Sequence, residues 1–320
     1  MYDVPHLRFP EFSGEWEKYR LCDVASIVGR IGFRGYTTND IVTKGKGAIA
    51  LSPTNIENNK LTYDKDNTYI SFYKYEESPE IMIKQGDVIF VKTGSTVGKV
   101  AYVDKLICKT TLNPQVVVLK DIQCDNYLLS VLMSTNKFQN AIRKIIVGGA
   151  VPTLSQAAMG DIVVTMPQAT EQEKLSKFIS LLDDRIATQN KIIEKLQSLI
   201  KGLAAQLTQS GTPNVRLCDC LECHSSTLQE NCVSATGSYP VYGATGLIGY
   251  TNGYAYNGES ILIVKDGSGV GSLSYANDCY SVIGTLNYLT AKGKYSVLYL
   301  YYALMAFNFT PYITGMAIPH

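Results

Sequence analysis

The chain has 320 residues, 46% of them hydrophobic and 18% charged, with a formal net charge of +1 at pH 7. This length and composition predict two domains that each bury a core, and the near-neutral charge excludes nucleic-acid binding driven by charge alone. The N-terminus has no apolar signal-peptide core and the most apolar stretch, 295–309, is too short for a bilayer, so we expect a cytoplasmic protein that does not span a membrane.

Several motifs occur twice in the chain, in the same order. The repeat pairs residues 18–24 (KYRLCDV) with 214–220 (NVRLCDC), 86–102 (GDVIFVKTGSTVGKVAY) with 258–275 (GESILIVKDGSGVGSLSY), Thr111-Leu112-Asn113 with Thr285-Leu286-Asn287, the apolar helix candidates Asn126–Met133 with Val297–Phe307, and Gly149-Ala150-Val151-Pro152 with Met316-Ala317-Ile318-Pro319. The loops between these motifs differ in length and sequence. A shared framework with unlike loops predicts two modules that recognise different ligands.

Residues 171–208, between the two copies, are predicted to form one long helix. Thr170 with Glu173 predicts its start, and Ser210, Gly211 and Pro213 predict its end. Its coiled-coil-like pattern consists of two series with a seven-residue spacing: Leu175, Leu182, Gln189, Leu196 and Leu203, and Ile179, Ile186, Ile193, Ile200 and Leu207. This pattern predicts a partner helix, from a second copy of the chain or from another protein, with Gln189 fixing the register. A core helix of one globular domain is the alternative.

The predicted fold is therefore α+β, with two repeated mixed α/β domains separated by a long coiled-coil-type helix. We place the first domain at 1–166, the helix at 167–210 and the second domain, which lacks a second long helix, at 211–320. Residues 211–320 carry four basic and six acidic side chains, so they are net −2 and the rest of the chain is net +3. If the protein binds DNA, we expect partner proteins to supply part of the positive charge.

One cysteine cluster has the ligand types of a zinc site. It comprises Cys218, Cys220, Cys223, His224 and Cys232. The spacing lacks the usual second ligand pair, and Cys22 occupies the place of Cys218 in the first copy without any cluster. We therefore favour small buried side chains with reduced thiols and no metal. The chain has only three histidines and no recurring nucleophile–base pattern, so we predict no catalysis.

Three further stretches point to a known family. They are LRFPEFSGEWEKYRLCDV at 7–24, GGAVPTLSQ at 148–156 and PQATEQEKLSKFISLLDDRI at 167–186. Together with the glycine hairpin at 86–102, they resemble the specificity (S) subunit of type I restriction-modification systems. The resemblance covers nearly the whole chain, although the second conserved helix of that family is missing.

The resemblance implies a non-catalytic subunit that recognises double-stranded DNA. Each repeated domain would be a target recognition domain that reads one half of a bipartite sequence. The helix would set the spacing and dock methyltransferase subunits, and restriction (motor) subunits would complete the complex. No cofactor would bind this chain, because S-adenosylmethionine, ATP and Mg²⁺ would belong to the partner subunits.

Within this interpretation, two groups of residues are predicted to contact DNA. The glycine hairpins contribute Lys92, Thr93, Ser95, Thr96 and Lys99 in the first copy and Lys265, Asp266, Ser268 and Ser272 in the second, and the unlike loops contribute Ser52, Thr54, Asn55, Tyr239, Tyr242 and Thr245. Plain hairpin turns with polar ends are the alternative for the first group. Asn113 and Asn287 are interpreted as turn caps rather than as readers of adenine.

Two other functions stay open at this point. A scaffold that binds protein or glycan and dimerises through the helix would fit the near-neutral charge and the second half, which holds 13 of the 22 tyrosines. A silent cassette that exchanges recognition modules by recombination would fit the abrupt end at an Ile-Pro motif.

Overall fold

A computed structural model describes residues 7–63, 66–146, 151–208, 211 and 214–315, apart from the side chain of Phe33. The chain divides into two units, with the boundary between Arg185 and Ile186. This boundary falls inside the long helix, and the three segments expected from the sequence remain a prediction. Gly149, Ala150 and Met316–Pro319 of the predicted repeat lie outside the described residues, as do Ser210 and Pro213.

The first unit consists of short strands and helices. In chain order they are β1 (Glu17–Arg20), α1 (Leu21–Val24), β2 (Ser26–Gly29), β3 (Gly47–Leu51), β4 (Ile56–Glu57), β5 (Lys60–Leu61), β6 (Thr68–Ser71), α2 (Phe72–Glu76), β7 (Val88–Val91), β8 (Val100–Tyr102), β9 (Thr110–Leu112), β10 (Val116–Lys120), α3 (Asn126–Ser134), α4 (Asn136–Ile145), α5 (Gln156–Gly160), β11 (Val163–Met166) and α6 (Ala169–Thr208), which continues past the unit boundary. Three-residue 3₁₀ turns, among them Pro53–Asn55, lie in the loops.

The strands of the first unit form a six-stranded sheet in the order β2-β10-β7-β8-β5-β4, a three-stranded sheet β6-β3-β9, and the pair β1-β11. Strand β7 is buried along its whole length. Val88 and Phe90 pack against α3, α4 and α5, whereas Ile89 and Val91 pack against the sheet that contains β3 and β9. Because successive side chains of a strand point to opposite faces, this double burial explains the uninterrupted apolar sequence VIFV.

The second unit uses the same kinds of element. In chain order they are α7 (Leu217–Cys220), β12 (Leu221–Ser225), β13 (Tyr239–Gly243), β14 (Gly246–Thr251), β15 (Tyr256–Asn257), β16 (Ser260–Val264), β17 (Leu273–Ala276), β18 (Cys279–Val282), β19 (Leu286–Ala291) and α8 (Val297–Met305). They form two sheets, in the orders β12-β19-β16-β17 and β14-β13-β18-β15.

The two units share one framework, which confirms the predicted duplication and the α+β class. The order β12-β19-β16-β17 repeats β2-β10-β7-β8, and the parallel pair β13–β18 repeats β3–β9. Strand β16 also alternates between two cores, since Ile261 packs with Leu300 of α8 while Leu262 packs on the other sheet. Helices α3 and α8 occur where the sequence predicted a helix in each copy.

The hydrogen bonds correct one detail of the predicted repeat. The backbone N–H of Asn113 donates to the Leu51 carbonyl (2.8 Å), and the matching bond in the second unit runs from Ile283 to Tyr242 (3.0 Å). Ile283 is therefore the counterpart of Asn113, whereas Asn287 lies inside β19. The Thr-Leu-Asn pairing was wrong because strand pairing, not a three-residue identity, decides which positions correspond.

Helix α6 is continuous over its 40 residues, which gives a length of about 60 Å at about 1.5 Å per residue. It begins at Ala169, so Thr170 lies inside the first turn and is not the cap that the sequence predicted. It ends at Thr208, as expected. Gly202 lies within the helix, where it costs about 1 kcal/mol relative to alanine.

A buried carboxylate fastens the N-terminal segment to the first turn of α6. Glu171 is completely buried, and its two oxygens accept hydrogen bonds from Arg8 Nε (2.7 Å) and Arg8 Nη2 (2.6 Å). Trp16 Nε1 also donates to Glu171 Oε1 (3.3 Å). Because a buried carboxylate is stable only when it is paired and hydrogen-bonded, this contact ties residues 8–16 to the helix.

The next residue connects the helix to the core of the first unit. Gln172 Oε1 accepts the backbone N–H of Asp125 (2.9 Å), and Gln172 Nε2 donates to the Pro167 carbonyl (2.8 Å). The rings of Phe9 and Phe178 meet edge to face, 5.8 Å apart. The Pro-x-x-x-Glu-Gln motif at 167–172 thus has a structural role that the sequence alone did not reveal.

We predict that Glu171→Ala lowers the melting temperature by several degrees, because it leaves the Arg8 guanidinium without its carboxylate. Cleavage by proteases within residues 8–16 should become faster, which limited proteolysis can measure. Glu171→Gln keeps one acceptor oxygen and should have a smaller effect. Glu173→Ala is the control, since Glu173 is exposed on the same helix. Equal decreases in melting temperature for Glu171→Ala and Glu173→Ala would contradict the proposed role of the Arg8–Glu171 contact.

Candidate nucleic-acid interface

Several strands of the first unit end beside one another and bring polar residues to a common edge. After β7, the backbone N–H groups of Lys92 and Thr93 donate to the Gln115 carbonyl (2.9 and 3.3 Å). After β9, the N–H of Asn113 donates to Leu51, the residue before Ser52. Three residues predicted to contact DNA, Ser52, Lys92 and Thr93, therefore lie along the same edge.

The glycine hairpin of the first unit is held in place by its own backbone and by the segment at 152–154. Gly94 and Gly98 have φ angles of +105° and +100°, which L side chains rarely adopt. The N–H of Gly94 donates to the Pro152 carbonyl (2.9 Å), and the N–H of Gly98 donates to Val91 (3.0 Å). The hairpin presents Ser95 to solvent, with Thr96 half-buried beside it.

Lys99 links the hairpin to the loop that follows β3. Its Nζ donates to the carbonyl of Ile56 (3.2 Å), and the residue is exposed. In that loop, the hydroxyls of Ser52 and Thr54 are hydrogen-bonded to each other (2.7 Å). The structure thus brings together Lys99 and the loop of Ser52 and Thr54, which are far apart in the sequence.

Asn55 is a correction to the predicted DNA-contacting set. It is only 2% exposed. Its Oδ1 accepts the N–H of Ser52 (2.9 Å), and its Nδ2 donates to the Thr62 carbonyl (3.1 Å) and to Asn67 Oδ1 (2.6 Å). The amide is fully used inside the unit, so Asn55 supports the loop and has no surface to offer a base.

The second unit repeats this edge with different side chains. The N–H of Gly271 donates to the Val264 carbonyl (2.9 Å), and the N–H of Lys265 donates to Thr285 (3.0 Å). These bonds match those of Gly98 and Lys92 in the first unit. Lys265 Nζ lies 3.9 Å from Asp266 Oδ2, and Ser268 and Ser272 are exposed. The two units therefore differ at this edge mainly in the chemistry of the residues that they present.

The three residues predicted in the tyrosine-rich loop of the second unit do not form one site. Thr245 is exposed at the turn between β13 and β14, and Tyr242 lies near the end of β13. Tyr239 lies at the start of the same strand, about 13 Å from its end at about 3.3 Å per residue. Its ring contacts that of Tyr254 (4.9 Å). Tyr239 is therefore separated from the edge that carries Lys265.

A buried arginine lies next to the edge of the first unit, and no sequence pattern indicated it. Arg30 is 7% exposed; its Nε donates to the Leu112 carbonyl (2.9 Å) and its Nη2 to Thr111 Oγ1 (3.1 Å). Its guanidinium also lies over the Tyr36 ring, 5.5 Å from the centroid. Burial lowers the pKa of Arg30. Tyr36 in turn accepts a hydrogen bond from Asn113 Nδ2 (2.9 Å). Asn113 Oδ1 accepts the backbone N–H of Gln115 (3.0 Å), which supports the turn-cap interpretation of Asn113.

The predicted pairing surface of α6 differs along its length. Leu175 is half-buried, and Ile179 and Asp183 line a cleft of the first unit. In that cleft Tyr127 donates to Asp183 Oδ2 (3.0 Å), and Lys60 Nζ lies 3.7 Å from the same oxygen. From Leu182 onward, the apolar members of both series are 42–72% exposed, namely Leu182, Ile186, Ile193, Leu196, Ile200, Leu203 and Leu207. Gln189 is exposed among them.

More apolar side chains are exposed beside the two series. Leu181, Ile192 and Leu199 are 45–59% exposed. At 100° per residue, these three side chains lie to one side of the two seven-residue series. The apolar face of α6 is therefore wider than the face that one partner helix covers.

Most cysteines of the cluster are not the small buried side chains that the sequence predicted, because Cys218, Cys223 and Cys232 are exposed. Cys220 is buried, and its thiol donates to the Arg216 carbonyl (3.2 Å). His224 stacks on the Tyr288 ring at 4.8 Å, with Nε2 2.9 Å from Thr290 Oγ1. Among the residues that the structure describes, no three His, Cys, Asp or Glu side chains are placed to hold a metal ion, and no helix is long and apolar enough to cross a membrane.

Comparisons with known proteins agree with this architecture. A family model described as the type I restriction modification DNA specificity domain matches residues 13–198. The chain is 25% identical over 209 residues to the type I restriction enzyme MjaVIII specificity subunit of Methanocaldococcus jannaschii, a match that covers 64% of this chain and 44% of that one. It is 31% identical over 83 residues to a putative type I restriction enzyme specificity subunit of Haemophilus influenzae, covering 25% of this chain and 22% of that protein. The chain thus spans less than half the length of these curated relatives.

The fold is also similar to that of a solved structure. The S subunit of a type I restriction-modification system from M. genitalium superposes with a TM-score of 0.62 at 16% identity, over 95% of this chain and 79% of that chain. At this identity the likeness concerns the fold alone. The family model, however, covers more than half of the 320 residues. The chain therefore belongs to the type I restriction-modification DNA specificity family.

Proposed function

We propose that this chain is the DNA-recognition subunit of a type I restriction-modification complex and contributes no catalytic residue itself. Each unit would read one half of a bipartite duplex target. The observation that carries the proposal is the duplicated framework with unlike edges: Lys92 and Thr93 in one unit correspond to Lys265 and Asp266 in the other. Two readers that share a scaffold but present different groups suit a target whose two halves differ.

The charge distribution fits a reader that works inside a larger complex. The whole chain is net +1 and residues 211–320 are net −2, so the net charge of this chain alone attracts phosphate groups weakly. Methyltransferase subunits, with their S-adenosylmethionine, and restriction subunits, with ATP and Mg²⁺, would supply the chemistry and further positive charge. The exposed edge residues would supply sequence discrimination.

Helix α6 supplies a surface for such partners. Apolar side chains from Leu182 to Leu207 are unusually exposed for a protein surface, and exposed apolar patches of this kind mark interaction sites. The face is wide enough for more than one helix, which supports pairing with a second copy of the chain, with a methyltransferase subunit, or with both. Leu175 and Ile179 are half-buried by the first unit, so the pairing would start near Leu182.

The direct test of the proposed function is to express the chain together with the methyltransferase subunit of its own system and map the methylated bases in the host DNA. We expect one bipartite sequence in which two specific halves flank an unspecified spacer. Methylation without a bipartite motif, or a motif that is independent of this chain, would contradict the proposal. The scaffold hypothesis predicts no sequence-dependent DNA binding at all.

We predict that Lys99→Ala weakens binding of the complex to duplex DNA and lowers the salt slope, −d(log K)/d(log [salt]), by about 1. The reason is that Lys99 is an exposed cation beside the candidate edge. Fluorescence anisotropy at several salt concentrations measures both quantities. Lys294→Ala is the control, because Lys294 is also exposed but follows the end of β19 that lies away from Lys265. A similar change of the salt slope for both variants would argue against a DNA contact by Lys99.

We predict that Leu196→Asp abolishes assembly through α6 while the chain itself keeps its stability. Leu196 is 53% exposed, so a carboxylate there is solvated in the free chain but would be buried unpaired against a partner helix. Size-exclusion chromatography with light scattering and co-purification of the methyltransferase measure the effect. Ser198→Asp adds the same charge on the opposite face of the helix and should leave assembly intact. Normal assembly by Leu196→Asp would refute the pairing surface.

A further inference from the structure

A short hairpin in the first unit has the form of a DNA-reading element, and the sequence pattern did not single it out. Strands β4 and β5 pair with Ile56 opposite Leu61 and Glu57 opposite Lys60. Asn58 and Asn59 form the two-residue turn between them. Both are exposed, with φ angles of +48° and +60°.

The hairpin is held firmly at its base. The N–H of Thr62 donates to the Asn55 carbonyl (2.8 Å), and the buried Asn55 amide donates back to the Thr62 carbonyl (3.1 Å). The ends of both strands are thereby joined. Asn55, which was wrongly predicted to contact DNA itself, is instead the residue that positions the hairpin.

The sides of the hairpin are anchored as well. Strand β5 pairs with β8, and the N–H of Tyr102 donates to the Asn59 carbonyl (3.2 Å). Lys99 Nζ donates to the Ile56 carbonyl on the other strand (3.2 Å). The turn therefore extends the main sheet beside the glycine hairpin, and the tip has little freedom to move.

The chemistry of the tip matches base recognition. A two-stranded ribbon fits the major groove, and the carboxamide of asparagine pairs with N6 and N7 of adenine. Glu57 is paired with Lys60 across the hairpin, and Lys60 Nζ lies 3.7 Å from Asp183 Oδ2. Lys99 Nζ donates to the Ile56 carbonyl, which puts a cation of the kind that contacts phosphate groups beside the hairpin. The second unit differs here: its strand β13, the counterpart of β3, is followed directly by the exposed turn Ala244-Thr245, which has no carboxamide.

We propose that Asn58 and Asn59 determine specificity for adenine in the half-site read by the first unit. This inference rests on the proposed function. The competing explanation is that asparagine occurs here only because it tolerates a left-handed backbone. Glycine tolerates that backbone at least as well, so an asparagine-to-glycine exchange removes the amides and leaves the turn intact.

The experiment selects bound sequences from a random duplex pool, using the chain in complex with the methyltransferase subunit of its own system. For Asn58→Gly/Asn59→Gly, we expect preference for adenine at one or two positions of one half-site to fall by between about 5-fold and about 150-fold, with the other half-site unchanged. Asp121→Gly is the matched control, because Asp121 is exposed and also has a positive φ, +50°. Asp121 follows the last residue of β10, whereas the candidate edge lies at the first residue of that strand. This substitution should leave both half-sites unchanged.

The possible outcomes are distinct. Unchanged preference in both half-sites of the double variant, or equal weakening on all sequences, would overturn the inference while the proposed function stands. Relaxed preference at positions that are not adenine would overturn it as well. If the unmodified complex selects no bipartite sequence, the proposed function fails and this inference fails with it. Equal melting temperatures of the two variants and the unmodified chain would exclude unfolding as the cause.

Discussion

Burial of the central strands on both faces is the constraint on which both units depend. Strand β7 in the first unit and β16 in the second pack one set of alternate side chains on helices and the other set on a second sheet. Each Å² of apolar surface removed from water contributes about 25 cal/mol, so such a strand has no position to spare for a polar side chain. Polar groups are confined to the strand ends and to the loops between strands. The candidate DNA-contacting residues lie there in both units, because the framework leaves them no other place.

Backbone hydrogen bonds at those ends explain how the framework tolerates different side chains. The bonds of Gly98 to Val91 and of Gly271 to Val264 join the same main-chain positions in the two units, whatever residues neighbour them. A main-chain bond does not depend on side-chain identity. The residues that follow, such as Thr93 and its counterpart Asp266, can therefore differ without disturbing the fold. If the proposed function holds, stability and specificity are carried by different atoms of the same segment.

The sequence predicted features whose physical cause is local. The apolar strands, the glycine turns and the long helix each follow from neighbouring residues, and the structure confirms them. The helix pairing that the seven-residue period predicts stays a prediction. Features that depend on distant residues were missed or misplaced. An amide in a polar loop looks the same whether it faces solvent or, like Asn55, bonds residues on both sides of a hairpin. Nothing near Glu171 in sequence indicates that Arg8, 163 residues away, will bury it.

Because the chain is nearly neutral, the rigidity of the Asn58-Asn59 turn matters for the proposed recognition of DNA. A protein with many phosphate contacts binds all DNA well and then needs only modest discrimination. A chain whose 29 basic side chains are nearly balanced by 28 acidic ones leaves more of the binding free energy to base contacts. Base contacts discriminate only when the reading groups are held in place, since each mobile side chain must be ordered on binding. The Asn55 amide and the β5–β8 pairing fix the Asn58-Asn59 turn before DNA arrives. A weakly charged reader with pre-positioned tips would gain affinity mainly on its correct sequence, and it would depend on partner subunits for attraction to DNA in general.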